Sequence, residues 1–147
     1  MAANSSLVSL HTAILDALNG YDEAIKRAER PDLKAIFQRV QAVHERAHAE
    51  LHEALRAKGL APDHSGSFMS TVNKAIISAR SALIGLDDGS LSSFASGEER
   101  IVEDYDKAIE DNQYDSSLVA ILARQKHRLM TEIGEMKATA TSAAKVG

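Results

Sequence analysis

The sequence predicts an all-α protein, a four-helix bundle made of two antiparallel helical hairpins joined by a helical crossover. Three observations predict it. Apolar residues recur at helical three- and four-residue spacing in five separate segments. The composition is 44% apolar but only 4% aromatic and has no Trp, an Ala- and Leu-rich mixture better suited to helices than to sheets. Both prolines, Pro31 and Pro62, fall where helical patterns begin or stop.

Asn4 or Ser5 caps a first helix over residues 5–29, whose core positions Leu7, Ile14, Leu18, Tyr21 and Ile25 follow the seam pattern of a packed bundle. Pro31 opens a second helix over 32–58, at the position where a missing N–H costs nothing. Leu33, Ile36, Phe37, Val40, Val43, Ala47, Leu51 and Leu55 carry its apolar face, and Lys58-Gly59 supplies a basic last turn and a glycine stop. A polar loop from Pro62 to Ser67 precedes the crossover helix, 68–86, with a stripe of Phe68, Val72, Ala75, Ile76, Ala79 and Leu83. At about 1.5 Å per residue it spans roughly 28 Å, the length of the bundle. The fourth helix, 90–111, uses Phe94, Ile101, Tyr105 and Ala108, and Asp111-Asn112 breaks it. Asp115 or Ser116 caps the fifth, 116–138, built on Leu118, Ile121, Leu122, Leu129, Ile133 and Met136. Residues 139–147 lack periodicity and are expected to fray, and 1–147 reads as one domain.

The chain contains no cysteine, which excludes disulfides, thiolate metal sites and a thiol nucleophile. The opening residues lack the basic cluster and apolar run of a secretion signal, and no apolar stretch approaches a membrane span. The formal charge of −4 gives no electrostatic reason to bind nucleic acid or anionic lipid. The expectation is a cytoplasmic protein with neither nucleic acid nor membrane as partner. Dimerisation through the crossover stripe is a further expectation.

Three stripes carry polar residues on the side that faces a core: His44, Glu98 and Gln125. At about 100° per residue, His44 lies some 30° from the centre of its stripe, His48 some 70° and Glu45 some 130°. The Glu45-Arg46-Ala47-His48 string, which matches the Glu-x-x-His of di-iron bundles, therefore turns its glutamate to solvent. Glu132 lies in the stripe of the fifth helix, while His11 and Asp22 flank that of the first. Counting from the hinges, Tyr21, Asp22, His44, Glu98 and Gln125 stand at similar heights. Two readings follow. In one, Tyr21, His44, Glu98 and Gln125 bond one another as a buried polar layer that fixes helix register. In the other, His44, Glu98, Glu132 and Asp22 hold a divalent transition metal: iron, manganese or zinc. His44, His48 and His52, four apart, form a surface ladder in which a pair of imidazoles can chelate zinc, nickel or copper.

The strings Pro31 to Phe37, His64-Ser65-Gly66-Ser67, Gly85-Leu86-Asp87-Asp88, Gly97-Glu98-Glu99 with Tyr105, and Arg124-Gln125 resemble, in order and spacing, a bacterial four-helix-bundle family of the ferritin-like superfamily, a domain of unknown function. The resemblance covers about Leu7 to Met136 and implies a ferritin-like fold, with Glu98 where ferritins place a metal carboxylate. It supplies no reaction. Leu18 and Asn19 stand where the family often carries acidic residues, and Gln125-Lys126-His127-Arg128 where a working ferritin has Glu-x-x-His. The expectation is a non-enzymatic ferritin-like bundle, with a stress-related role one expectation and a degenerate polar site at its centre. The alternatives are a metal-dependent oxidoreductase or storage protein using Glu98, His44 and Glu132, and a helical protein-interaction module.

Overall fold

A computed structural model describes residues 2–59 and 88–146 of the chain. They form four helices: α1 (Ala2–Arg27), α2 (Pro31–Ala57), α3 (Asp88–Asp111) and α4 (Ser116–Val146). The crossover helix expected over 68–86, with the stripe on which dimerisation was argued, lies outside the described residues.

The α1–α2 hinge follows from its proline. A proline disfavours helical geometry at the residue before it, and Arg30 is extended at φ −81° and ψ 125°. Pro31 then starts α2, and the Arg30 guanidinium binds Asp32 in its first turn at 2.6 and 3.1 Å. At the far end Lys58 closes α2 and Gly59 adopts φ 72°, donating its N–H to Arg56 O at 3.0 Å. Between α3 and α4, the Asn112 amide returns to Ala108 O at 2.8 Å and Asp115 Oδ1 accepts the Leu118 N–H at 3.2 Å. Asp115 is thus the cap of α4. The helix then runs on to Val146, where periodicity predicted fraying from residue 139. Extending an existing helix costs far less than nucleating one, the segment is rich in alanine, and Ala140 still packs on the core.

Cross-helix contacts fix the directions. Tyr21 meets Phe37 and His44 while His11 meets His48 and His52, so α1 and α2 are antiparallel. Tyr105 meets Gln125 and Glu99 meets Lys137, so α3 and α4 are antiparallel. Arg39 meets Glu132 and Glu50 meets Arg124, which runs α4 against α2. Consequently α2 and α3 lie diagonally across the bundle and point the same way, with Gly59 and Asp88 at opposite ends. The core holds Leu7, Leu10 and Ile14 of α1, Leu33, Leu51 and Leu55 of α2, and their counterparts on the second hairpin, all essentially without solvent contact. Each such side chain contributes about 1.5–3 kcal/mol of burial free energy. No helix among the described residues is long and apolar enough to cross a membrane.

Candidate functional site

The inward face of α2 steps through Leu33, Phe37, Val40, His44, Ala47, Leu51 and Leu55, and that of α3 through Leu91, Phe94, Glu98, Ile101, Tyr105 and Ala108. His44 and Glu98 occupy core positions by the same spacing that buries their apolar neighbours. They meet across the bundle diagonal. His44 Nε2 lies 2.9 Å from Glu98 Oε1 and 2.8 Å from Oε2, and the Tyr21 hydroxyl donates to Oε1 at 2.9 Å. Tyr21 and Glu98 are 0% exposed and His44 is 1%. Facing two carboxylate oxygens, Nε2 carries a hydrogen; in the neutral ring Nδ1 is then a bare lone pair, and it has no hydrogen-bond partner among the described residues. Phe37, Phe94 and the Tyr21 ring wall the site, with centroids 4.8–5.9 Å apart. Burial, and after it the Glu98 charge, hold the Tyr21 pKa well above its ordinary 10.0, so the phenol remains a donor.

A second layer stands one to two turns away. The Tyr105 hydroxyl donates to Gln125 Oε1 at 2.9 Å, and Gln125 Nε2 donates to Glu50 Oε1 at 3.1 Å. Arg124 binds the other Glu50 oxygen at 2.6 Å. Burial first, then Glu98 and Glu50, raise the Tyr105 pKa. The single layer expected of Tyr21, His44, Glu98 and Gln125 is therefore two layers, because Gln125 reaches Tyr105 and the edge of α2 and has no recorded bond to His44. Tyr105, read from the sequence as a core residue, and Glu50 are polar partners that spacing alone did not reveal.

Of the four residues expected to hold a metal, the structure brings together His44 and Glu98. Glu132 is buried, but the Arg39 Nε donates to both its oxygens at 3.0 and 2.8 Å, and the same guanidinium reaches Glu135 at 2.6 Å. Asp22 is exposed and pairs with Lys26 at 3.1 Å. The reason is rotational: Tyr21 takes the inward position, and the next residue is turned about 100° away from it.

The expected histidine ladder also divides. His44 turns into the centre, while His48 and His52, both half-buried, face α1 and there meet His11. His11 Nε2 and His52 Nδ1 are 3.3 Å apart, and one ring nitrogen from each of the three histidines lies within 4.8 Å of the others. The signal for this cluster was in the sequence. His11 is 18 residues before Glu29 and His48 is 18 after Arg30, so an antiparallel hairpin hinged there sets them level.

The pattern of the family described as Domain of unknown function (DUF2383) matches residues 2–111, and the chain belongs to that family. No curated protein and no solved structure matches the chain.

Proposed function

We propose that this chain is a non-enzymatic helical bundle of the ferritin-like type, in which the buried Tyr21–His44–Glu98 centre serves the fold by fixing helix register. The observation that carries the reading is the commitment of the Glu98 carboxylate. Both its oxygens face His44 Nε2, and one also accepts the Tyr21 hydroxyl. A buried charge deprived of one partner costs about 3–5 kcal/mol. A one-turn slip of α1, α2 or α3 would strand Glu98 in that way, so the three side chains together penalise every register but one. Glu132, the carboxylate a metal centre would add, is held by Arg39. A cytoplasmic location without a nucleic-acid partner belongs to the same reading; the charge of −4 speaks against a nucleic-acid partner, and a chain without cysteine is compatible with a reducing compartment.

A metal-dependent oxidoreductase or storage centre is the alternative, favoured by the unpartnered His44 Nδ1 beside a buried carboxylate. Elemental analysis of the full chain, purified without chelator, separates the two when run on wild type and Glu98→Gln. The structural reading expects the same content of iron, manganese and zinc in both, with the variant less stable. Stoichiometric metal that disappears in Glu98→Gln overturns it.

A further inference from the structure

We propose that His11, His48 and His52 form a zinc site at the seam between α1 and α2. The helix itself sets half of this site, because residues four apart project side by side from one face. His48 and His52 supply that pair, and the antiparallel packing of α1 delivers His11 against both, with ring centroids 4.6 and 5.4 Å away.

The spacing suits the ion. Two nitrogens each about 2.05 Å from zinc at the tetrahedral angle stand about 3.3 Å apart. His11 Nε2 and His52 Nδ1 are 3.3 Å apart. One ring nitrogen from each of the three histidines lies within 4.8 Å of the others, and the third donor comes from half-buried His48.

Among the described residues the cluster consists of three imidazoles, and they select the metal class. Neutral ring nitrogens take zinc, nickel or copper, whereas magnesium and calcium require oxygen donors. Of the acids beside them on α2, Glu50 binds Arg124 and Gln125, and Glu53 binds Arg56. The partial exposure of His48 and His52 gives the ion a path from solvent. This site shares no residue with the Tyr21–His44–Glu98 centre.

The test is titration of zinc into the metal-stripped full chain, followed by calorimetry or by competition with a chromophoric chelator. Wild type is expected to bind one zinc per chain, with magnesium giving no signal. His52→Ala and His48→Ala each remove a direct ligand and are expected to weaken binding by more than the about 10–100-fold typical of losing an outer partner. Both positions are half-buried on a helix, so these variants keep the fold; helical circular dichroism and metal-free unfolding midpoints close to wild type verify it. His11→Ala, at a buried position, corroborates the result when it folds. Exposed His127 provides the control, and His127→Ala is expected to bind as wild type does. Absence of wild-type binding at micromolar zinc overturns the proposal, as does affinity unchanged in the His48→Ala/His52→Ala double variant. Binding lost in Glu98→Gln but kept in His52→Ala also overturns it and moves the ion to the bundle centre.

Discussion

Removing one member of the Tyr21–His44–Glu98 centre should cost far more than removing all three. His44→Leu leaves the Glu98 carboxylate, 0% exposed, with the Tyr21 hydroxyl as its remaining hydrogen-bond partner among the described residues. Breaking a buried pair in this way costs about 3–5 kcal/mol, a large share of the about 5–15 kcal/mol that holds a domain folded. At a urea dependence of about 2 kcal/mol per molar, the midpoint falls by about 1.5–2.5 M. The triple variant Tyr21→Phe/His44→Leu/Glu98→Met removes the hydroxyl, the imidazole and the carboxylate together while keeping side-chain volume. Apolar replacement of a complete buried network is commonly neutral or stabilising, so its stability is expected within about 1 kcal/mol of wild type or above it. It should also lose the penalty on slipped registers, which would appear as broadened methyl resonances at undiminished helicity. Urea unfolding followed by circular dichroism gives both numbers. A His44→Leu cost below about 1 kcal/mol would refute the claim that the charge is desolvated and dependent on its partners. A triple variant as unstable as the single one would refute the claim that completeness of pairing, and not the polar atoms themselves, is what matters.

Alkali should weaken the fold through its two buried phenols. Tyr21 and Tyr105 have folded pKa values above the ordinary 10.0, so their contribution is intact below about pH 10 and is lost as pH rises beyond it, at up to about 1.4 kcal/mol per pH unit for each; urea midpoints between about pH 9 and pH 12 should show this slope roughly halved by Tyr21→Phe, and an unchanged slope would refute the assignment. Two glycines should respond to alanine with opposite signs. Gly59, at φ 72°, should lose about 1–2 kcal/mol from backbone strain alone, since no atom lies within 4 Å of the added methyl. Gly134→Ala, on the exposed face of α4 and equally unobstructed, should gain about 0.5–1 kcal/mol in helix propensity, and thermal unfolding of the pair compares the two directly.

Period and punctuation were enough to locate the four described helices, although α1 begins at Ala2, ahead of the Asn4 or Ser5 cap the sequence suggested. Pro31 with its extended predecessor, Gly59 after a basic turn, and Asp115 before an apolar run act within a few residues of chain, so a single sequence reveals them. The inward placement of His44 and Glu98 was legible for the same reason: each lies on the stripe that buries its apolar neighbours, and rotation about a helix is local geometry. What the sequence could not supply was choice among partners of equal height. Arg39 takes Glu132 and Tyr105 takes Gln125, because those pairings depend on the lateral distances between packed helices, whereas Asp22 turns out to Lys26 by rotation on α1 itself. The continuation of α4 to Val146 likewise depends on the existing helix and on Ala140 finding the core. The histidines show the division most clearly. The chain by itself determines that His48 and His52 share a face and that a hinge at Arg30 brings His11 level with them. Only tertiary packing decides that His44 joins Glu98 while His48 and His52 join His11, since a helix distributes its side chains by angle and the neighbouring helices then determine which of them can touch.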